Sequence, residues 1–198
     1  MLIISILTNF TASRFKGQLR DAILPNRMIN INKFTVKSQE ALEAAQRLAS
    51  DRSNPAVDTV HLLLALTQQQ EGVVRSIFDQ LGIIDLVLKE VKEELELLPR
   101  VNEAVTPTIG LTQELARVLD NAFQEAQQLH DEYVSTEHLL LSLLSIQSSI
   151  QQLLQSLGIS RDAVLQKLAS IRGRTRVETP DPESTYQALD RYSINLTK

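Results

Sequence analysis

The sequence predicts an all-α protein: two tandem four-helix repeats, related by a pseudo-twofold axis and packed into one globule. Three observations carry that expectation. Apolar residues recur at spacings of three and four through most of the chain, the stripe of amphipathic helices. Displaced by 77, residues 33–66 match residues 110–143 at eleven positions, clustered where helix caps and core residues fall. The 198 residues are 43% apolar and only 4% aromatic, with no Trp, so the core must be aliphatic and large enough to exclude global disorder.

Residues 1–27 do not read like the rest. Met1 to Leu7 is apolar, but Arg14, Lys16 and Arg20 follow it, the reverse of the order an export signal needs. The segment carries a net +3 and the remainder −7. It ends at a turn-like Pro25-Asn26-Arg27, and Met28 reads as a natural start. Residues 1–27 are therefore expected to be an extra segment outside the native domain. The domain then covers 28–173, and 174–198 is a linker.

Within the domain, Ala41, Leu42, Ala45, Leu48 and Ala49 predict a first helix over 35–51. Asp58 is an N-cap for the Leu-rich run His61 to Leu66, giving a helix over 58–69. Helices over 72–81 and 84–97 follow, parted by Gly82, a residue suited to a helix C-terminus. Pro99 and Pro107 bracket a loop, and Gly110 opens the second half. Leu115, Val118, Leu119, Ala122, Phe123 and Ala126 predict a helix over 112–130. Ser135 caps the echo of the Leu-rich run, 135–146, followed by 148–157, Gly158 and 160–171. A unit that cannot bury its apolar face alone packs on its copy.

Several chemistries are excluded by residue type. A formal charge of −4 and absence of a basic cluster give no footing for nucleic acid. No apolar run reaches the roughly 18–20 residues of a membrane span. Absence of Cys removes disulfides, thiolate metal sites and thiol nucleophiles, and fits a reducing compartment. No phosphate-loop motif occurs among the six scattered glycines, so nucleotide hydrolysis is not expected. No activated Ser or Thr signature is present either. His61 and His138 are repeat equivalents three residues after their caps, where an imidazole bonds local backbone; metal ligation needs more converging ligands. His130 lies at a helix end, and the Glu and Lys residues from 89 to 96 form a solvated helix face. No metal, cofactor or catalytic residue is expected.

The segments Phe34 to Ala45 (F-T-x-K-x-x-x-A-L-x-x-A), Asp58 to Leu66 (D-x-x-H-L-L-L-A-L) and the later Ser135-Thr136-Glu137-His138-Leu-Leu-Leu resemble the Clp N-terminal repeat domain of AAA+ unfoldases and disaggregases. The likeness is greatest to the ClpB chaperone type. The tail, Arg172-Gly173 through Tyr186-Gln187-Ala188-Leu189 and Asn195-Leu196-Thr197, resembles the linker into the first ATPase module. The resemblance covers about 33–198 and implies a cytoplasmic, non-enzymatic stress-response domain. Its partners would be unfolded or aggregated polypeptide and AAA+ modules or Clp proteins.

Polar residues at repeat-equivalent edges supply the candidate site. Thr35 and Thr112 begin the first helix of each repeat, with Thr112 secondary; Asp131 and Glu137 flank the Ser135 cap and offer negative charge to a client's cations. Helix capping alone also explains Thr and Asp at such positions. In the family this face engages unfolded polypeptide. In ClpC relatives the Thr and the T-E-H Glu of both repeats form phosphoarginine pockets. Here Val60 stands where that Glu would be in the first repeat. The leading expectation is capture of client protein, on a shallow apolar groove between the repeats with Thr35, Asp131 and Glu137 on its polar rim. A free-standing accessory protein, or an adaptor-docking or phosphoarginine-reading module acting on a Clp ATPase or protease, is the competing expectation.

Overall fold

In the computed structural model the described residues are 30–101, 109–173 and 175–182, with the backbone of 23–24 and 27–28. Most of the segment 1–27 thus lies outside them. Eight α-helices account for the body: α1 (Val36–Asp51), α2 (Thr59–Gln68), α3 (Val73–Gln80), α4 (Ile84–Leu97), α5 (Gln113–Gln128), α6 (Thr136–Ser145), α7 (Ser149–Ser156) and α8 (Arg161–Arg172). The lengths repeat as 16, 10 and 8 residues, then 14 in the first half and 12 in the second. Among the described residues, strands are limited to two-residue pieces: β1 (Ile23–Leu24) antiparallel to β2 (Arg27–Met28), and β3 (Ala56–Val57) parallel to β4 (Gly110–Leu111).

The helix starts obey the sequence. Thr35 accepts a hydrogen bond from the Ser38 amide and Thr112 from the Leu115 amide, each relieving an orphan donor of the first turn. Ser148 and Ser160 do the same for α7 and α8. At the helix ends the symmetry extends to strained backbone. Ser53 and His130, 77 residues apart, are the non-glycine residues with positive φ, at 54° and 59°, among those described. Gly82 and Gly158 take φ of 71° and 75° at the ends of α3 and α7, where a side chain would be strained.

Helices α2 and α6 lie at the centre. Residues Thr59–Thr67 and Thr136–Leu144 are buried all round, so these helices cannot show the one-sided pattern of a surface helix. Helix α1 packs on α2 and α5 on α6 within their repeats; α3 meets α6 and α8, while α2 and α4 meet α7, joining the halves. Each fully buried Leu contributes about 1.5–3 kcal/mol, and Leu62, Leu63, Leu66, Leu139, Leu140 and Leu141 are all completely enclosed.

The halves also exchange backbone. The Thr35 amide donates to Val134 O at 2.9 Å, and the Thr112 amide donates to Val57 O at 3.0 Å. These are the same bond under the 77-residue displacement. Phe34 meets Phe123 edge-on at 5.2 Å between ring centroids, and the Lys33 ammonium lies 5.4 Å from the Tyr133 ring centre. One cooperative unit follows. Leu63→Ala and Leu140→Ala, at equivalent enclosed positions, should each cost about 2–5 kcal/mol. Urea denaturation followed by circular dichroism should show a single transition in all three proteins; two separate transitions would contradict the shared core.

Candidate functional site

The candidate site forms where α6 begins. Each repeat places a His on the third residue of its second helix and folds the imidazole back on the cap. In the first, the Asp58 amide donates to His61 Nδ1 at 2.9 Å; in the second, the Ser135 amide donates to His138 Nδ1 at 2.9 Å. An Nδ1 that accepts leaves the proton on Nε2 of the neutral ring. His61 Nε2 then donates to Asn54 Oδ1 and His138 Nε2 to Asp131 Oδ2, both at 3.0 Å. Burial holds the His61 pKa below the usual histidine value, against the pull of the neighbouring Asp58. The histidines therefore occupy the structural place expected of them.

The second repeat differs from the first in carrying charge. Asn54 and Val60 are neutral where Asp131 and Glu137 stand 77 residues later. In α8, Val164 and Leu168 face the core as Val87 and Val91 do in α4, and the next equivalent position exchanges Leu95 for Arg172. Arg172 Nη1 lies 2.8 Å from Asp131 Oδ2 and 3.2 Å from Glu137 Oε1. The carboxylates have no solvent exposure and the guanidinium side chain only 9%. Burial alone would raise the Asp131 pKa. The His138 hydrogen bond, the Val177 amide and Arg172 together outweigh it and hold that carboxyl below the ordinary aspartate value.

A strap closes the site. Residues 175–182 follow α8 and run across the Asp131 loop to the start of α1. The Val177 amide donates to Asp131 Oδ1 at 2.8 Å, the Glu132 amide donates to Val177 O at 2.9 Å, and the Val36 amide donates to Pro180 O at 2.8 Å. Val177 is completely buried, and Pro182 is buried too. The packed body thus runs beyond Gly173. Thr35, Asp131 and Glu137 come together on this face: Thr35 is enclosed beside Val134, and the strap joins its helix start to Asp131. Thr112 lies at the pseudo-equivalent edge, beside Val57 and without the acidic pair.

The expected polar rim is in fact a buried ionic cluster, because Arg172 supplies the cation. A shallow cavity of about 320 Å³ lies within the first repeat, on Leu48, Leu64 and Leu95, with Arg52, Lys92 and Glu96 at its mouth. It is not between the repeats and does not include Thr35, Asp131 or Glu137. Arg172 and the strap are the site components that sequence reasoning missed. An Arg four residues after Leu168 on a core stripe was the available signal, since a buried cation requires a carboxylate. A second such exchange, Leu48 for Glu125, buries a carboxylate whose Oε1 takes the Arg161 guanidinium at 2.7 Å. No group of three or more His, Cys, Asp and Glu able to hold a metal occurs among the described residues, and no described helix is long and apolar enough to cross a membrane.

Residues 33–157 match the Clp repeat (R) N-terminal domain. The chain belongs to that family. It is 39% identical over 171 residues to the chaperone protein ClpB of Bacillus cereus, covering 85% of this chain and 20% of that protein. With ClpB of Mycobacterium bovis the identity is 38% over 164 residues, 82% of this chain and 19% of the other. The chain thus spans about a fifth of the length of these curated relatives. Its fold is similar to the Hsp104 N-terminal domain from Candida albicans (TM-score 0.65, 24% identity, 76% of this chain and 99% of that one). It is also similar to a ClpV N-domain solved in complex with a VipB peptide (TM-score 0.58, 24% identity, 70% and 86%). All-α Clp N-domain architecture and chaperone-type kinship are thereby established.

The two buried groups with shifted pKa values, His61 and Asp131, set the pH response with one sign. The folded chain keeps His61 neutral while the unfolded chain takes up a proton below about pH 6.5, so stability falls as pH drops through that value. Asp131 contributes stability above its unfolded pKa of about 3.9, lost as pH falls through its lower folded value. The melting temperature should therefore decline below about pH 6.5 and again below about pH 4. His61→Gln should flatten the upper step and Asp131→Asn the lower. Rising stability on acidification would contradict both assignments.

Proposed function

We propose that the chain is the polypeptide-binding, non-catalytic N-terminal domain of a ClpB-like AAA+ chaperone, cytoplasmic, capturing unfolded or aggregated protein for an ATP-driven module. The observation that carries this reading is the guanidinium held between Asp131 and Glu137, next to the capped start of α1 at Thr35. Arg172 is the internal occupant of two buried carboxylates beside a hydroxyl-capped helix start, and a client's basic side chain and polar backbone would be received there by the same chemistry once Arg172 and the strap give way. The ClpB relatives, and the VipB peptide bound by a ClpV N-domain, support a polypeptide as the partner. Binding would be weak and sequence-tolerant, which suits release.

Phosphoarginine reading by a symmetric pair of pockets is less favoured. Val60 is buried and uncharged where Glu137 stands in the second repeat. Thr112 would then serve only as a cap.

Removing Asp131 and Glu137 alone would strand the Arg172 charge, which costs about 3–5 kcal/mol. The test is therefore the triple variant D131N/E137Q/R172Q, checked for helicity and melting. Its affinity for a basic unfolded polypeptide, read by fluorescence anisotropy at low salt, should fall about fivefold, the equivalent of about 1 kcal/mol for one solvated ion pair. A neutral apolar client should lose less than about twofold. Unchanged binding of both clients by the folded variant would refute the acidic site. Calorimetry should detect no ATP binding, since the sequence has no phosphate loop; saturable micromolar binding would contradict the non-catalytic reading.

A further inference from the structure

We infer that the face formed by Asp131, Glu132 and Val36 is a groove for an extended polypeptide strand anchored by one buried β-branched aliphatic residue. The strap 175–182 is its resident occupant. The inference rests on the reading of this face as a polypeptide-binding site and specifies what the site recognises.

The strap shows the recognition chemistry. Its main chain is read on both sides: Asp131 Oδ1 accepts the Val177 amide, and the Glu132 amide donates to the Val177 carbonyl. Three residues on, the Val36 amide at the first turn of α1 donates to the Pro180 carbonyl. Val177 is completely buried and Pro182, at the far end of the strap, is buried as well, whereas Thr175, Arg176, Glu178, Thr179, Pro180 and Asp181 are exposed. Main-chain contacts supply affinity without regard to sequence, and the enclosed positions, above all Val177 between its two main-chain bonds, supply selectivity, the division used by proteins that bind extended peptides.

Arg172 prepares the acceptor. Its guanidinium and the His138 Nε2–H both occupy Asp131 Oδ2, leaving Oδ1 for the strap amide. Asp131 thus links the ionic cluster to peptide backbone. The pseudo-equivalent Asn54 turns its Oδ1 to His61 and its amide nitrogen to the Pro99 carbonyl, 2.8 Å away. It has no second carboxylate oxygen to offer. The first repeat's loop also meets the chain that follows α4, through the Asn54 contact with Pro99 and through the Val101 amide donating to Ser53 O, but a carboxylate acceptor for a strap amide belongs to the second repeat's loop.

A tethered strap faces its groove at an effective concentration on the millimolar scale. A client strand in trans must compete with it. Engagement of a client by this groove consequently frees residues 175–182.

The Cys-free sequence makes the test direct. Val177→Cys and Thr179→Cys each place a single thiol in the full chain, one enclosed and one exposed, and labelling by a disulfide reagent reports opening. With the strap seated, Cys at 177 should label at least about tenfold more slowly than at 179, the ratio reading the open fraction. An added peptide of residues 175–182, TRVETPDP, should accelerate labelling at 177 in proportion to its concentration, at least about threefold at millimolar levels. The same peptide with Asp in place of Val should not. Equal labelling at both positions without peptide overturns the proposal, as does protection that TRVETPDP does not relieve. A basic unfolded polypeptide is run in parallel. If TRVETPDP competes and that client does not, the groove stands and the client reading falls. If the client binds by anisotropy while neither accelerates labelling, the client reading stands and the groove is wrong.

Discussion

The first helix of each repeat begins on a carbonyl supplied by the other repeat: the Thr35 amide on Val134, the Thr112 amide on Val57. An N-cap amide buried without a partner would lose a hydrogen bond and its solvation together. Neither repeat can therefore satisfy its own helix start by separating from its copy. The constraint fixes the pseudo-twofold arrangement, brings Phe34 against Phe123, and encloses α2 and α6. It also decides where function can sit. Thr35 is delivered to the Asp131–Val134 loop because the bridge requires it there.

Symmetry ends at charge. In the first repeat the positions Asn54, Val60 and Leu95 are neutral; in the second the equivalents Asp131, Glu137 and Arg172 form a buried ionic cluster. Such clusters are weak sources of stability, since desolvation offsets much of the attraction. What this one does is orient a carboxylate. Asp131 is held by His138 and Arg172 on one oxygen and presents the other to backbone. A neutral first repeat beside a charged second one is how a duplicated scaffold acquires a single directed face.

Most of the fold was legible in the sequence because it depends on local signals. Caps at Thr35, Asp58, Thr112 and Ser135, glycines at 82 and 158, and 3.6-residue stripes mark elements that the structure places within one or two residues. The displacement of 77 exposed the duplication without any contact information. The site was only half legible. Thr35, Asp131 and Glu137 could be singled out as polar residues at helix edges, but the surroundings of Asp131 and Glu137 depend on chain that arrives 35 to 46 residues later, and Thr35 meets Val134, 99 residues on. Arg172 and Val177 reach them through tertiary packing, which no helical period encodes. The cavity on Leu48, Leu64 and Leu95 of the first repeat likewise arises from tertiary packing that no helical period encodes.

Amide chemical-shift mapping of the isotopically labelled chain, titrated with a basic unfolded polypeptide, most directly tests whether this face takes a client. Shifts should concentrate at Val36, at Asp131 to Glu137 and at Val177, with the first-repeat equivalents Asn54 to Val60 unaffected. Shifts confined to Leu48, Leu64 and Leu95 around the first-repeat cavity, or spread equally over both repeats, would contradict a single client face on the second repeat.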